Sequence, residues 1–359
     1  MQIKVIKTLK EYLDIEREYI DLWENSVERL VFNSPVFLRS YIHNFEDKYD
    51  LNIICLYDEH KMLGLAPISI MTKKKGFLKW KELRFASEGD SRGFVVRKKV
   101  TNNDMSYTKI VKLLLNSIEE CDYDRICLDH IDSQSQLFYY MSKSTVYNPG
   151  LKLHIILPYH DMPRYSSFDE YFTYFPSKTK KYMKHLLRDH PYVFEVHTGF
   201  DNDLYEETSS LHVYEKNYLN KQYNKGRHSL YEDKKMNDYV RDIQNQSDMI
   251  LNFTMRRKSD GKLICYRDTY LNDRTIYSWN AAYDPEFEKY SINSIFFYEI
   301  FKYLYENDVC DKYSFGSGGY TWKFTLTDKF AINYKYDVFT KNAKKIEKMI
   351  KFKNALKSL

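Results

Sequence analysis

Two hydrophobic periods alternate along this chain. Met1–Lys7 alternates polar and apolar positions and reads as a strand. From Leu9 to Val31 the apolar positions Tyr12, Ile15, Tyr19, Leu22 and Trp23 recur at helix spacing. Asn33-Ser34-Pro35 stops that run, and Ser34-Pro35 supplies a cap and first turn for a helix over Val36–Asp47. Leu51–Tyr57 and Met62–Met71 flank a turn at Asp58–His60 and predict a hairpin. After the basic turn Lys73–Gly76 comes a strand, Leu78–Ala86, then the polar loop Ser87–Gly93. The pattern next predicts a helix over Met105–Cys121, a strand over Arg125–His130, a helix over Ser133–Ser142 and a strand over Lys152–Leu157.

The pattern then starts over. Phe168–Phe175 and Lys178–His190 read as helices parted by Pro176-Ser177, and Tyr192–His197 as a strand. Leu204–Lys221 and Glu232–Gln246 are helical; Met249–Arg256, Lys262–Leu271 and Thr275–Tyr283 form a strand meander. A helix over Ser291–Glu306, strands over Lys312–Phe315 and Asn333–Thr340, and a helical tail complete the chain. Strand, helices, antiparallel strands, helix, strand thus occurs twice. The expectation is an α/β (α+β) protein of two domains, each a mixed, mainly antiparallel sheet flanked by helices. The Pro-containing stretch Pro158–Pro163 sets their limits at 1–157 and 158–340, with a basic helix at 341–359.

Composition narrows the function classes. Over 359 residues, 43% are hydrophobic and 29% charged, which is globular. Net charge is +5, but the last nineteen residues carry +6, so the other 340 sum to −1. The body is therefore no bulk nucleic-acid binder. The tail and the basic stretch Lys178–His190 are each as consistent with a solvated helix face as with an anionic lipid, cofactor or RNA. Five cysteines without metal spacing, no signal sequence and no long apolar run predict a cytoplasmic chain, with the tail resting on the inner face of a membrane as an option. No metal is expected.

Glycine is scarce, 11 residues, yet Gly316, Gly318 and Gly319 fall within four positions. They follow a strand, about twenty residues after Ser291, which stands where a helix cap belongs. Free N–H groups at such a start bind anions, and small residues at a strand end allow a ligand's close approach. Strand, turn and helix without a ligand fit the same residues. Neither a P-loop nor GxGxxG is present.

Asp284–Ile295 (DPEFEKYSINSI), followed by GSGGYTWK, resembles the CelD/BcsL branch of the GNAT-type acyltransferases, which lies near the FemAB-like transferases. Asn33-Ser34-Pro35, Gly64-Leu65-Ala66-Pro67, Glu88-Gly89-Asp90 and the basic helix Ser177–Arg188 are similar to elements of that branch in the same order. The branch's Pro-Gly pair is replaced by Ile292-Asn293, and its Gln/Arg-x-x-Gly-x-Gly/Ala signature is absent.

The resemblance implies two tandem GNAT-like domains. The second would carry acetyl-CoA or another acyl-CoA, and the first would form the acceptor wall. It implies acyl transfer to an amine or hydroxyl of a sugar nucleotide, a lipid-linked glycan or another envelope or capsule precursor. Tyr290, Ser291, Ile292, Asn293, Ser294, Gly316 and Gly318 would hold the cofactor. Tyr320 would protonate the leaving thiolate, with His228 or Asp90 as base. Glu88, Arg92, Arg267, Trp279 and Lys323 would contact the acceptor. A FemAB-like transfer from aminoacyl-tRNA and a non-catalytic GNAT-like binding protein are the alternatives; nucleic acid enters only with the first.

Overall fold

The computed structural model of the chain describes residues 1–98, 106–162, 165–173 and 178–357, with side chains as far as Phe352. Met105, Pro163, Phe175, Pro176, Ser177, Ser358 and Leu359, which belong to the expected elements and boundaries, lie outside the described residues. The chain divides into two compact units, Met1–Ile156 with Ala331–Leu359, and Leu157–Phe330.

The first unit opens with β1 (Gln2–Ile6), α1 (Leu9–Leu13) and α2 (Glu16–Glu24). The single helix expected over Leu9–Val31 is therefore two short ones. Beyond Glu24 the chain leaves helical geometry because its backbone pairs elsewhere: Val27 N–H donates to Val96 O at 2.8 Å, and Ser26 bridges Arg97. After α3 (Pro35–Phe45) come β2 (Asp50–Asp58), β3 (Lys61–Lys75), β4 (Leu78–Phe85) and the short β5 (Val95–Val96), which the hydrophobic pattern did not reveal. The helix α4 (Tyr107–Glu119) leads to β6 (Arg125–Asp132), α5 (Gln136–Lys143) and β7 (Leu151–Asp161). The strands β1 to β4 pair antiparallel in sequence order, and β6 lies parallel to β4 with α4 as the crossover. Apolar faces of these strands and of α4 share one core around Ile68, Leu83, Leu114 and Leu128.

The second unit repeats this plan. It contains α6 (Phe168–Phe172), α7 (Thr179–Asp189), β8 (Tyr192–His197), α8 (Asn202–Tyr223) and α9 (Lys234–Gln246). The meander β9 (Asn252–Arg257), β10 (Leu263–Asn272) and β11 (Thr275–Tyr283) follows, then α10 (Ile292–Glu306) and β12 (Lys312–Ser314). Here β8 to β11 pair antiparallel and β12 lies parallel to β11 with α10 as the crossover. The core gathers the buried face of α10 (Ile295, Phe296, Ile300, Phe301) against Phe253, Cys265 and Ile276.

The chain ends with β13 (Phe330–Phe339) and α11 (Lys344–Lys357). Residues 331–359, expected within and after the second domain, pack instead in the first unit. The reason is strand pairing: β13 runs antiparallel to β6, from Asn333 opposite Asp132 to Phe339 opposite Arg125. The end of β7, Tyr159–Asp161, lies in the second unit and pairs there with β12. The expected class, α/β with mainly antiparallel sheets flanked by helices, is the one found.

Candidate active site

The centre of the second unit is where β11 parts from β12. Their parallel ladder runs only from Thr275–Lys312 to Tyr277–Ser314, while β11 continues to Tyr283. At the parting point the β10–β11 register skips Trp279: Asp268 pairs with Asn280 and Thr269 with Ser278. One extra residue on β11 is a bulge, which sharpens the local twist and re-aims the side chains beside it. Trp279 itself turns to Tyr270 and Tyr239, with ring centroids 6.1 and 6.5 Å away.

Around this point the polar groups are buried and incompletely satisfied. Arg267 is only 5% exposed. It donates to the Ser278 hydroxyl at 2.9 Å, and its guanidinium lies 4.4 Å from the Phe297 ring centroid and 5.9 Å from that of Trp322. Its Nε is buried without a hydrogen-bond partner; the buried Tyr313 hydroxyl faces Ser278 and Arg267; the Asn280 amide, opposite Asp268, lies on the other face of the sheet. Burial raises the Tyr313 phenol above its ordinary range, and the positive charge of Arg267 pulls against that. Buried groups left unpaired are costly, so Arg267 beside Tyr313 fits a site that receives polar atoms from a ligand.

The glycine turn follows β12. Gly316 and Gly318 take φ of 73° and 100°, the region open to glycine. A Cβ on Gly318 would stand 2.7 Å from the Tyr320 ring. Lys323 is not the open cation that the sequence suggested. It is 3% exposed, and its ammonium donates to Gly316 O and Ser317 O at 2.8 Å each. It therefore holds the turn closed from beneath. Tyr320 is 47% exposed, with the Lys323 ammonium and the Arg227 guanidinium each 5.4 Å from its ring. Arg227 precedes His228 in the loop after α8, so that loop reaches Tyr320 through Arg227; His228 is exposed.

At the other end of β11, Ser291 occupies the position before α10, but not as a capping serine. It adopts a left-handed conformation (φ 54°, ψ 47°) and makes no side-chain cap bond. Its N–H donates to Glu288 O, closing the 3-10 turn Pro285–Tyr290. Asn293 and Ser294 are half-buried in the first turn of α10. Tyr290 and Ile292 point into the core, Tyr290 donating to Asp189 at 3.1 Å. The preceding turn is acidic: Glu286 pairs with Lys262 and Arg257, and Glu288 accepts from Tyr218 and Tyr223.

The remaining expected residues belong to the first unit. Arg92, 4% exposed, donates to Ser87 O and Gly89 O at 3.1 Å each and stands 3.2 Å from Asp129 and 3.6 Å from Glu88. Glu88 also accepts from Arg84 at 2.7 Å. The Asp90 carbonyl accepts from Asn333 at 2.6 Å. Asp129, His130 and His154 bring ligand-type atoms within 4.8 Å of one another. The Arg92 guanidinium, 3.4 Å from His130 Nδ1, already supplies the positive charge there. Neither these histidines nor Ser278, Tyr313 and Phe297 were singled out from sequence. Only Ser278, a polar position between Tyr277 and Trp279, carries a local signal.

Residues 176–324 match the acetyltransferase (GNAT) domain family. The matched span contains β8 to β12, α10, the glycine turn and Lys323. No curated protein matches the chain by sequence. Among solved structures, FemX is similar with a TM-score of 0.59 at 11% identity, covering 98% of this chain and 100% of that one. L-PGS from Bacillus licheniformis gives 0.54 at 12% identity over 93% of this chain and 94% of that one. The C-terminal domain of a proposed lysylphosphatidylglycerol synthetase from Agrobacterium fabrum gives 0.51 at 12% identity, covering 94% and 95%. At these identities the likeness is one of fold.

Proposed function

We propose that the chain is an acyltransferase whose second unit binds an acyl-CoA thioester and passes the acyl group to an amine or hydroxyl. The observation that carries this reading is the parting of β11 from β12 around buried Arg267, whose Nε has no hydrogen-bond partner, beside the buried Tyr313 phenol. The GNAT match over 176–324 supports it. In such a transfer the nucleophile adds to the thioester carbonyl, the C–S bond breaks, and the thiolate takes a proton. Backbone amides of Ile292 and Asn293 are assigned to the pyrophosphate, the Ser294 N–H already donating to Ser291 O at 2.9 Å, and the Gly316–Gly318 turn to the floor of the donor site. Tyr320 is assigned the proton for the thiolate; His228 or Asp90 is assigned the base. The acceptor is assigned to envelope or capsule precursors, on the residue likeness to the CelD/BcsL branch.

One observation favours a second reading, aminoacyl transfer from tRNA. The fold likeness to FemX and to the proposed lysylphosphatidylglycerol synthetase extends over nearly the whole chain, and the latter's name denotes an aminoacylated lipid. Thermal stabilisation by acetyl-CoA or CoA, with free thiol released across a panel of amine and hydroxyl acceptors, is the expected result. No shift with any acyl-CoA, together with salt-sensitive binding of tRNA, would move the function to aminoacyl transfer.

A further inference from the structure

Within the first unit, lysines and exposed aromatic rings share one surface. Leu78 and Trp80 of β4, Phe339 of β13 and Ala343 form a small buried cluster, and Ile346, Met349 and Ile350 of α11 pack on it. This contact lays the basic helix beside the tip of the β3–β4 hairpin. That tip reads Lys-Lys-Lys-Gly-Phe-Leu-Lys over residues 73–79, with Lys74 paired opposite Lys79 and Lys75 opposite Leu78. Phe77 is 77% exposed. On α11, Lys345, Lys348 and Phe352 follow at spacings of three and four and share one flank. Phe352 is 66% exposed. Glu347 is held by Lys344 at 3.0 Å and by Lys351 at 2.7 Å, which leaves the helix strongly positive.

We propose that this surface docks the protein on an anionic lipid bilayer, with Phe77 entering the headgroup–acyl boundary and the lysines facing the headgroups. Two aromatic rings exposed to this degree are costly in water, and burying a phenylalanine side chain is worth about 2–3 kcal/mol. Apolar rings beside lysines match the layered chemistry of a bilayer edge. All nine cations of residues 73–79 and 341–351 are lysine and none is arginine. A fluid anionic leaflet requires only such point charges, whereas base stacking and bidentate phosphate contacts favour arginine. Among the described residues no helix is long and apolar enough to cross a membrane, so this contact lies at the surface. It is independent of the donor chemistry proposed above.

The test is co-sedimentation of the full chain with vesicles of phosphatidylcholine, alone or mixed with phosphatidylglycerol. The protein is expected to partition onto the anionic vesicles only. Each lysine near such a surface is worth about a fivefold change in affinity, so Lys74→Gln with Lys79→Gln should weaken partition about 25-fold. Phe77→Ser should weaken it about tenfold or more, and this loss should persist at high salt. These side chains are exposed, so thermal melts of the variants should match the wild type. Failure to partition, or equal partition by wild type and both variants, overturns the proposal. Binding to tRNA without binding to vesicles, weakened by Phe77→Ser, would overturn it in favour of an RNA surface.

Discussion

Replacing Lys323 by Met tests whether the glycine turn is a built floor or an incidental loop. The two stems are similar in length, so Lys323→Met keeps most of the packing and removes the ammonium. The loss is two hydrogen bonds at 2.8 Å, to Gly316 O and Ser317 O. Hydrogen bonds from a charged donor contribute about 1.5–3 kcal/mol each. Part of that returns, because a buried thioether needs no solvation while a buried ammonium does. A net loss of about 2–4 kcal/mol follows. For a unit of this size, each kcal/mol moves the melting temperature by about 2–4 °C, so a fall of roughly 5–15 °C is expected. Melting is followed by circular dichroism, and thiol release is measured well below the new midpoint. Activity should fall further than the unfolded fraction explains, because the turn no longer holds its shape when folded. A melting temperature within about 1 °C of wild type would refute the turn-holding role. A lower midpoint with unchanged kcat/KM in the folded variant would detach the turn from the donor site.

Further perturbations separate strain, burial and chemistry. Gly89 has φ of 138°, and a Cβ there would lie 2.1 Å from the Phe32 ring; Gly89→Ala should destabilise the first unit by several kcal/mol in urea denaturation. Ser291 sits at φ 54° without a cap bond, so Ser291→Gly should match or exceed wild-type stability, while Ser291→Val should lose about 1–2 kcal/mol by thermal melting. Burial pushes the Asp268 carboxyl up to about 7, against hydrogen bonds from Tyr231 and Gln244 that favour its charged form. A carboxyl whose folded value is raised loses stability as pH rises from its unfolded value, 3.8, to the folded one. Asp268→Asn, which keeps the acceptor for Tyr231, should therefore gain stability over wild type progressively between pH 4 and 7, read as a growing difference in melting temperature. Tyr320→Phe should lower kcat with little change in KM if its hydroxyl protonates the thiolate, and an unchanged kcat assigns that proton elsewhere.

What the chain discloses in its order of residues, and what it conceals, follows from the range of each interaction. The meander β9 to β11 and the helix α10 were legible because their periods are local: TIYSWNAAY alternates, and Ile292, Ile295, Phe296 and Ile300 recur on one helical face. The break after α1 was not, since Tyr12, Ile15 and Tyr19 keep helical spacing across it; nor was the end of α2 at Glu24, because the pairing of Val27 with Val96 beyond it is distant in sequence. The return of β13 to the first unit was concealed for a related reason. Alternation says which face of a strand is buried but not which sheet receives it. The site divides in the same way. Arg267 and Lys323 stand out as charges in apolar surroundings, whereas Tyr313 and Phe297 acquire meaning only when α10 carries the chain across to β12 beside β11. Ser291 is the instructive case: a serine before an apolar helical run predicts a side-chain cap, and the position was right. The turn Pro285–Tyr290 forces that residue left-handed, so its hydroxyl makes no cap bond and the helix start offers backbone N–H groups. The helix start expected from sequence is therefore kept, while its capping residue plays a different part: Ser291 turns the chain through its left-handed backbone rather than through its hydroxyl.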